Sequence, residues 1–203
     1  MKLTRNIVQK KIKQKTDLLF PNYKGSLQPG GNIFHTKTTA TGKNIIFQTV
    51  LSYDIFPVSA VLLVSNNLIS ATYSKIFECT DKNVPEPQFL IKNVGRMAIR
   101  YDGDIKSWVE FLRDELADKE AIFEKYADLD ALEQIINSII LSDDLELITD
   151  YTIINGLIAA KILGRVYYEN IFNKFMEHAV KNEFPQRAIS EVLHAYSVLN
   201  KMY

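Results

Sequence analysis

Residues 97–108, with the sequence MAIRYDGDIKSW, mark the point at which the periodicity of the chain changes. Before this point Met97 and Ile99 alternate with smaller or polar residues, which is typical of a half-buried strand. After it Ile105 and Trp108 begin an apolar stripe at helical spacing. The sequence therefore predicts a sheet in the first half of the chain and helices in the second.

Upstream of this change we expect one helix and then an antiparallel meander. Residues 4–20 place apolar side chains on one face and lysines on the other, and Pro21 ends the pattern. The turn-rich residues 21–32 predict a loop. About five strands should follow, with Gly95 marking a bulge in the last. They are predicted at Ile33–Thr39, Asn44–Tyr53, Val58–Val64, Ile69–Phe77 and Phe89–Tyr101.

Downstream we expect about five helices. Asp104 is a plausible N-cap for the first. Another is capped by Asp128 or by Asp130, the latter forming a D-x-x-E capping pattern with Glu133. The nearly all-apolar segment from about Thr149 to Leu163 predicts a buried helix that ends at Gly164. The predicted fold class is α+β, with residues 1–203 forming a single domain in which the helical part, 104–203, packs on the helix and sheet of residues 1–103.

The amino-acid composition bears on how the core is stabilised and on the cellular compartment. Hydrophobic residues make up 47% of the chain, which is enough for a core without disulfides or metals. The single cysteine, Cys79, cannot form an intrachain disulfide and suits a reducing compartment. Residues 1–20 lack the features of a secretory signal, and residues 151–163 are shorter than the ~20 residues of a membrane span. We expect a cytoplasmic protein that does not enter the membrane.

Charge is distributed unevenly along the chain, although the net charge is zero. Residues 1–103 carry 14 basic and 6 acidic side chains, a net charge of +8, and residues 104–203 carry 10 and 18, a net charge of −8. The segment from Asp104 to Asp150 alone has a net charge of −10. Such asymmetry bears on which partners the surface attracts.

An acidic helical face is the first candidate site. Its carboxylates could bind a basic protein partner, since complementary charge speeds encounter and favours specificity, or could simply be solvated by water. The candidate partner-binding residues are Glu110, Asp114, Glu115, Asp118, Glu120 and Glu124.

A basic surface is the second candidate. The lysines of the first helix could contact nucleic-acid phosphates, or could be the solvated side of an amphipathic helix. A third interpretation is that the basic and acidic halves neutralise each other within the fold. The candidate phosphate-binding residues are Lys10, Lys11, Lys13, Lys15, Arg96 and Arg100.

Catalytic and metal-binding motifs are weak. Glu191 and His194 form a single E-x-x-H, whereas di-iron helical bundles need two together with further glutamates. An enzyme would need His35, His178 or His194 to meet Cys79 in the fold. We predict no catalytic residues, no metal and no cofactor.

Three local features carry a resemblance to known proteins. Leu18-Leu19-Phe20 leads through a glycine loop to Ile33-Phe34, Ile45 to Leu51 forms a hydrophobic strand, and Ile122 to Tyr126 is followed by Leu129 and Leu132. With the order helix, meander, helices, the chain resembles a group of uncharacterised bacterial domains of unknown function, some of them linked to toxin–immunity loci. The resemblance implies a non-enzymatic, immunity-like protein whose partner is another protein, such as a basic toxin.

Overall fold

The structure, a computed structural model, describes residues 3–53, 55–77, 87–141, 150–181 and 184–203. It has an N-terminal helix, a five-stranded antiparallel sheet and then helices, which confirms the predicted α+β class. In chain order the elements are α1 (Arg5–Leu19), β1 (Lys24–Gln28), β2 (Asn32–Thr38), β3 (Gly42–Val50), β4 (Phe56–Asn66), α2 (Asn67–Ile76), β5 (Phe89–Ile99), α3 (Asp102–Glu115), α4 (Lys119–Ala127), α5 (Leu129–Leu141), α6 (Asp150–Ile162), α7 (Tyr168–Lys181) and α8 (Gln186–Met202).

Contacts within the chain divide it into two compact units. The first, here called the sheet unit, comprises Met1–Val64 and Gln88–Lys125, and the second, the helical unit, comprises Ser65–Pro87 and Tyr126–Tyr203. The division does not fall at residues 103 and 104, because α3 packs against α1 and β5. The prediction of one domain stays a prediction.

The strands follow one another across the sheet in chain order, from β1 to β5, as a meander does. Within the pair β2–β3, His35 lies opposite Ile46, and both side chains are buried. The predicted bulge at Gly95 is confirmed, since the pairing of β4 with β5 shifts register immediately beside it and its φ is +144°. A Cβ at Gly95 would lie 2.8 Å from the ring of Phe111, so the sheet and α3 approach closely there.

Two predictions in the first half are wrong. The segment Ile69–Phe77, predicted as a strand, lies in α2, and the side chain of Asn66 caps this helix by accepting from the N–H groups of Leu68 and Ile69. The segment 21–32, predicted as a loop, contains β1, whose backbone pairs with β2. The strand count is therefore right although one strand was assigned to the wrong segment.

The core of the sheet unit includes buried side chains of α1 and α3, which pack against the strands. The predicted stripe is confirmed, because Ile105, Trp108 and Leu112 are fully buried or nearly so. The indole Nε1 of Trp108 donates a hydrogen bond of 3.0 Å to Gln48 Oε1 in β3, which satisfies its one donor. Trp108 is therefore a core residue.

The N-terminus of α3 differs from the prediction in one detail. The helix begins at Asp102 after Tyr101, so Asp104 is its third residue and not its N-cap. The Asp104 carboxylate accepts from the backbone N–H groups of Arg100, at 2.7 Å, and Tyr101, at 3.3 Å. These hydrogen bonds, the one from Arg100 first, lower the pKa of Asp104 and complete the helix start in the manner of a capping box.

In the helical unit, α6 packs against α2, α5, α7 and α8, which explains why it is apolar nearly all round. It ends at Ile162, and Gly164 is its C′ residue as predicted, since a φ of +63° there allows the N–H of Arg165 to donate to the carbonyl of Ala160. None of the helices in the described residues is long and apolar enough to cross a membrane.

Candidate protein-binding surface and charged clusters

The six acidic candidates lie on α3, on α4 and on the turn between them. Five are exposed, and the sixth, Glu110, leaves 46% of its side chain exposed. Glu120 differs from the other five, because its carboxylate is turned toward the sheet.

Glu120 contacts Tyr23, which directly precedes β1, and Lys37 of β2. Its Oε1 accepts a hydrogen bond of 2.9 Å from the hydroxyl of Tyr23, and its Oε2 lies 2.9 Å from Lys37 Nζ. Burial disfavours the charged form of Glu120, but the hydrogen bonds from Lys37 and Tyr23 outweigh it and lower the pKa of the carboxyl. Burial and the same carboxylate raise the pKa of Tyr23 well above its ordinary value. Glu120 thus ties α4 to the edge of the sheet.

The other five carboxylates form what we call the acidic surface: Glu110, Asp114, Glu115, Asp118 and Glu124. Three of them lie near a cation, at 3.7 Å for Glu110 with Lys106, 3.3 Å for Asp114 with Arg113 and 3.8 Å for Asp118 with Lys92. Such exposed pairs contribute about 0–1 kcal/mol and exchange easily with solvent or a partner. The side chains of Glu115 and Glu124 form no ion pair within the described residues.

Two of these contacts bear on the charge asymmetry. The pairs Lys37–Glu120 and Lys92–Asp118 each join a cation of the basic first half to an acid of the second half, inside the sheet unit. Part of the opposite charge of the two halves is therefore neutralised within the fold, which supports the third interpretation for these residues.

The lysines of α1 fall into two groups. Lys11 is paired with Asp102, and Lys13 Nζ lies 2.5 Å from Asp17. Lys10 and Lys15 are exposed, and across the described ranges neither forms an ion pair. Two of the four lysines are therefore available to an outside ligand, and two are committed to carboxylates.

The two arginines assigned to the basic surface are both exposed. Arg96 lies in β5 opposite Ser59, and Arg100 follows the end of that strand. Their proposed role in nucleic-acid binding stays a prediction.

The histidines are held by neighbours. His35 is fully buried, its Nε2 lies 3.1 Å from Asp17 Oδ1, and its ring meets Phe20 edge to face. Burial lowers the pKa of His35, although Asp17 acts in the opposite direction. His194 Nε2 lies 3.0 Å from the carbonyl oxygen of Ile76.

The single E-x-x-H does not come together as a ligand pair. Glu191 is 2.7 Å from Arg187, whereas His194 is occupied by the backbone of α2. Among the described residues no group of three or more His, Cys, Asp or Glu side chains could hold a metal ion. Cys79 lies outside the described residues, so its proposed meeting with a histidine stays untested.

One buried charged cluster was not predicted. Glu133 of α5 is fully buried, yet its carboxylate accepts hydrogen bonds from the hydroxyl of Tyr167 at 2.6 and 2.8 Å, from Arg165 Nε at 3.1 Å and from Asn137 Nδ2 at 2.5 Å. Arg165 also pairs with Asp130. Burial and Glu133 raise the pKa of Tyr167 to about 12.

The D-x-x-E of Asp130 and Glu133, interpreted as a capping pattern, is therefore the docking site of Arg165. Helical spacing alone places its two carboxylates on the same side of α5, and this was the signal available in the sequence. The three hydrogen-bond donors, Tyr167, Arg165 and Asn137, and the depth of burial favour a structural role, because nothing of the carboxylate is left open to a ligand.

The fold and these clusters define a protein of the α+β class with charged surfaces and no recognisable catalytic constellation among the described residues. Comparisons of the chain with protein-family models, with curated proteins and with solved structures gave no match.

Proposed function

We propose that the chain is a non-enzymatic, immunity-like protein of the cytoplasm that binds a basic protein partner, such as a toxin, through the acidic surface. The observation that carries the proposal is that five carboxylates of α3, α4 and their connecting turn remain solvent-accessible, while Glu120 is held by Tyr23 and Lys37. Solvent-accessible carboxylates leave a negative field, which accelerates association with a basic partner and raises its specificity.

Weak internal pairing supports this use of the surface. Glu110 and Asp114 are paired only with cations on their own helix, at positions where double-mutant measurements typically find a few tenths of a kcal/mol. A partner's lysines or arginines can replace these cations at little cost. By contrast, Glu120 is held by two groups from outside its own helix, Tyr23 at Oε1 and Lys37 at Oε2.

Differential capture tests the proposal. The wild-type chain, the double variant Glu115→Lys/Glu124→Lys and the control Glu177→Lys/Glu191→Lys are immobilised and exposed to a lysate of the source organism. The control makes the same change in net charge on α7 and α8, where Glu177 is exposed and Glu191 forms only a surface pair with Arg187.

We expect at least one strongly basic protein to be retained by the wild type and the control and lost by the acidic-surface variant. Production of that protein alone should then slow growth, and co-production of the wild-type chain should restore it. Equal capture by all three chains would contradict the assignment of the acidic surface.

Nucleic-acid binding is the second candidate function, and a separate observation favours it. The available Lys15 belongs to an open groove between α1 and α3 in which two further lysines lie. Its test is a titration with a labelled oligonucleotide at several salt concentrations, since phosphate contacts make affinity fall steeply as salt rises.

A further inference from the structure

The groove between α1 and α3 lies inside the sheet unit. It has a volume of about 310 Å³ and is lined by Lys11, Gln14 and Lys15 from α1 and by Asp102, Ile105 and Lys106 from α3. Ile105 is 1% exposed and so belongs to the floor, whereas Lys15 and Lys106 are exposed at the rim. The groove therefore combines an apolar floor with cationic walls.

The charge of the groove favours an anion. Three lysines face one carboxylate, and the Asp102 carboxylate is already paired with Lys11. Lys15 forms no ion pair in the part of the chain that the structure describes, and Lys106 is 3.7 Å from Glu110 with 75% of its side chain exposed. Lys106 can exchange its weak, exposed contact with Glu110 for another anion, so two ammonium groups, one from each helix, can turn toward the same phosphate group.

An exposed aromatic residue stands next in the chain to the groove lining. Tyr101, which directly precedes Asp102, is 63% exposed. Its ring lies over the backbone of Gly103, where a Cβ would be 2.8 Å from a ring carbon, so this glycine leaves room for the ring. Aromatic rings held open to solvent in this way are the surfaces on which unpaired bases stack.

From this combination we propose that the groove binds single-stranded nucleic acid, with one phosphate between Lys15 and Lys106 and a neighbouring base stacked on Tyr101. The proposal rests on the second candidate function and names its site. A single strand fits better than a duplex, because only unpaired bases can turn a face toward an aromatic side chain.

Fluorescence polarisation with labelled oligo-dT tests the site. Lys15→Glu/Lys106→Glu is compared with the control Lys24→Glu/Lys181→Glu, which makes the same charge change at exposed lysines outside the groove. We expect the groove variant to lose binding at least tenfold relative to the control. Replacing both groove lysines by glutamine should lower the slope of log affinity against log salt by about 0.7, since the two lysines share one phosphate and each single-strand phosphate contact contributes about 0.7.

Stacking is tested separately with Tyr101→Ala and Tyr101→Phe, and circular dichroism confirms that each variant folds. The alanine variant should lose on the order of tenfold in affinity for oligo-dT, and the phenylalanine variant should retain it. Inorganic polyphosphate, which has no bases, should bind both variants equally. A base-selective loss in the alanine variant supports the proposed contact, and equal affinity of wild type and alanine variant for oligo-dT would overturn it.

The outcomes distinguish a failure of the groove as the binding site from a failure of nucleic-acid binding as the function. If oligo-dT binds the wild type but the groove variant and the control bind equally, the groove is not the site, although nucleic-acid binding stands. If the wild type does not bind oligo-dT at low salt, both are overturned. Neither result bears on capture of a protein by the acidic surface.

Discussion

Replacing Arg165 by methionine tests how the helical unit tolerates a buried carboxylate. Arg165 lies in the turn between α6 and α7, and its Nε is 3.1 Å from Glu133 Oε2, while the side chain of Glu133 is fully buried. Without the guanidinium, Glu133 is left as a buried charge with neutral donors alone. Breaking such a pair typically costs about 3–5 kcal/mol.

The lower end of this range applies here. Tyr167 and Asn137 continue to donate to Glu133, and Asp130, the second partner of Arg165, keeps 43% of its side chain exposed. We therefore expect Arg165→Met to lower the free energy of unfolding by about 3 kcal/mol.

Urea denaturation followed by circular dichroism at 222 nm measures this loss. A matched experiment uses Glu133→Gln, which removes the charge and keeps a carbonyl oxygen that accepts from Tyr167. The double variant Arg165→Met/Glu133→Gln should be less destabilised than the sum of the single variants by at least 1 kcal/mol, because the buried charge is then gone. Additive effects, or a loss below about 1 kcal/mol for Arg165→Met, would refute the reasoning.

Three further predictions concern the fold. Burial lowers the pKa of His35 from its ordinary value of 6.5, so the unfolded chain takes up a proton at this residue first as pH falls, and the free energy of unfolding should decrease below pH 6.5. His35→Gln should make the dependence of the free energy of unfolding on pH less steep, and an unchanged dependence would contradict the assignment. Gly95→Ala should lower the free energy of unfolding by about 1–3 kcal/mol, since φ is +144° and the new methyl group would meet Phe111. A urea titration followed by Trp108 fluorescence measures this loss, and unchanged stability would count against the contact. Asn66→Ala should cost about 1 kcal/mol through loss of the α2 cap, and unaltered stability would show that the cap contributes nothing.

The sequence predicted elements well where one periodicity dominates. The first helix and the stripe of α3 are confirmed, because a single apolar face decides each of them. The segment from Ile69 to Phe77 carries two patterns at once: its alternate residues suggest a strand, while Ile69, Thr72 and Ile76 are the residues buried on α2. The Asn66 side chain at the helix start favours the helical alternative.

Contacts between distant residues lay beyond sequence reasoning. β1 has little alternation and forms because β2 pairs with it. The network of Tyr23, Lys37 and Glu120 joins residues 83 and 97 positions apart, so no local pattern distinguishes Glu120 from the carboxylates that stay open to solvent. The hydrogen bonds from Tyr23 and Lys37, which set Glu120 apart from the other acidic candidates, follow from the folded arrangement.

The most direct test of the acidic surface is the affinity of the captured basic partner for three purified chains, measured by isothermal titration calorimetry at two salt concentrations. We expect Glu115→Lys/Glu124→Lys to weaken binding about tenfold or more and to reduce its salt dependence, since opposing charges replace attractive ones. The control Glu177→Lys/Glu191→Lys should bind as the wild type does. Equal affinities for the wild type and the acidic-surface variant would contradict the account.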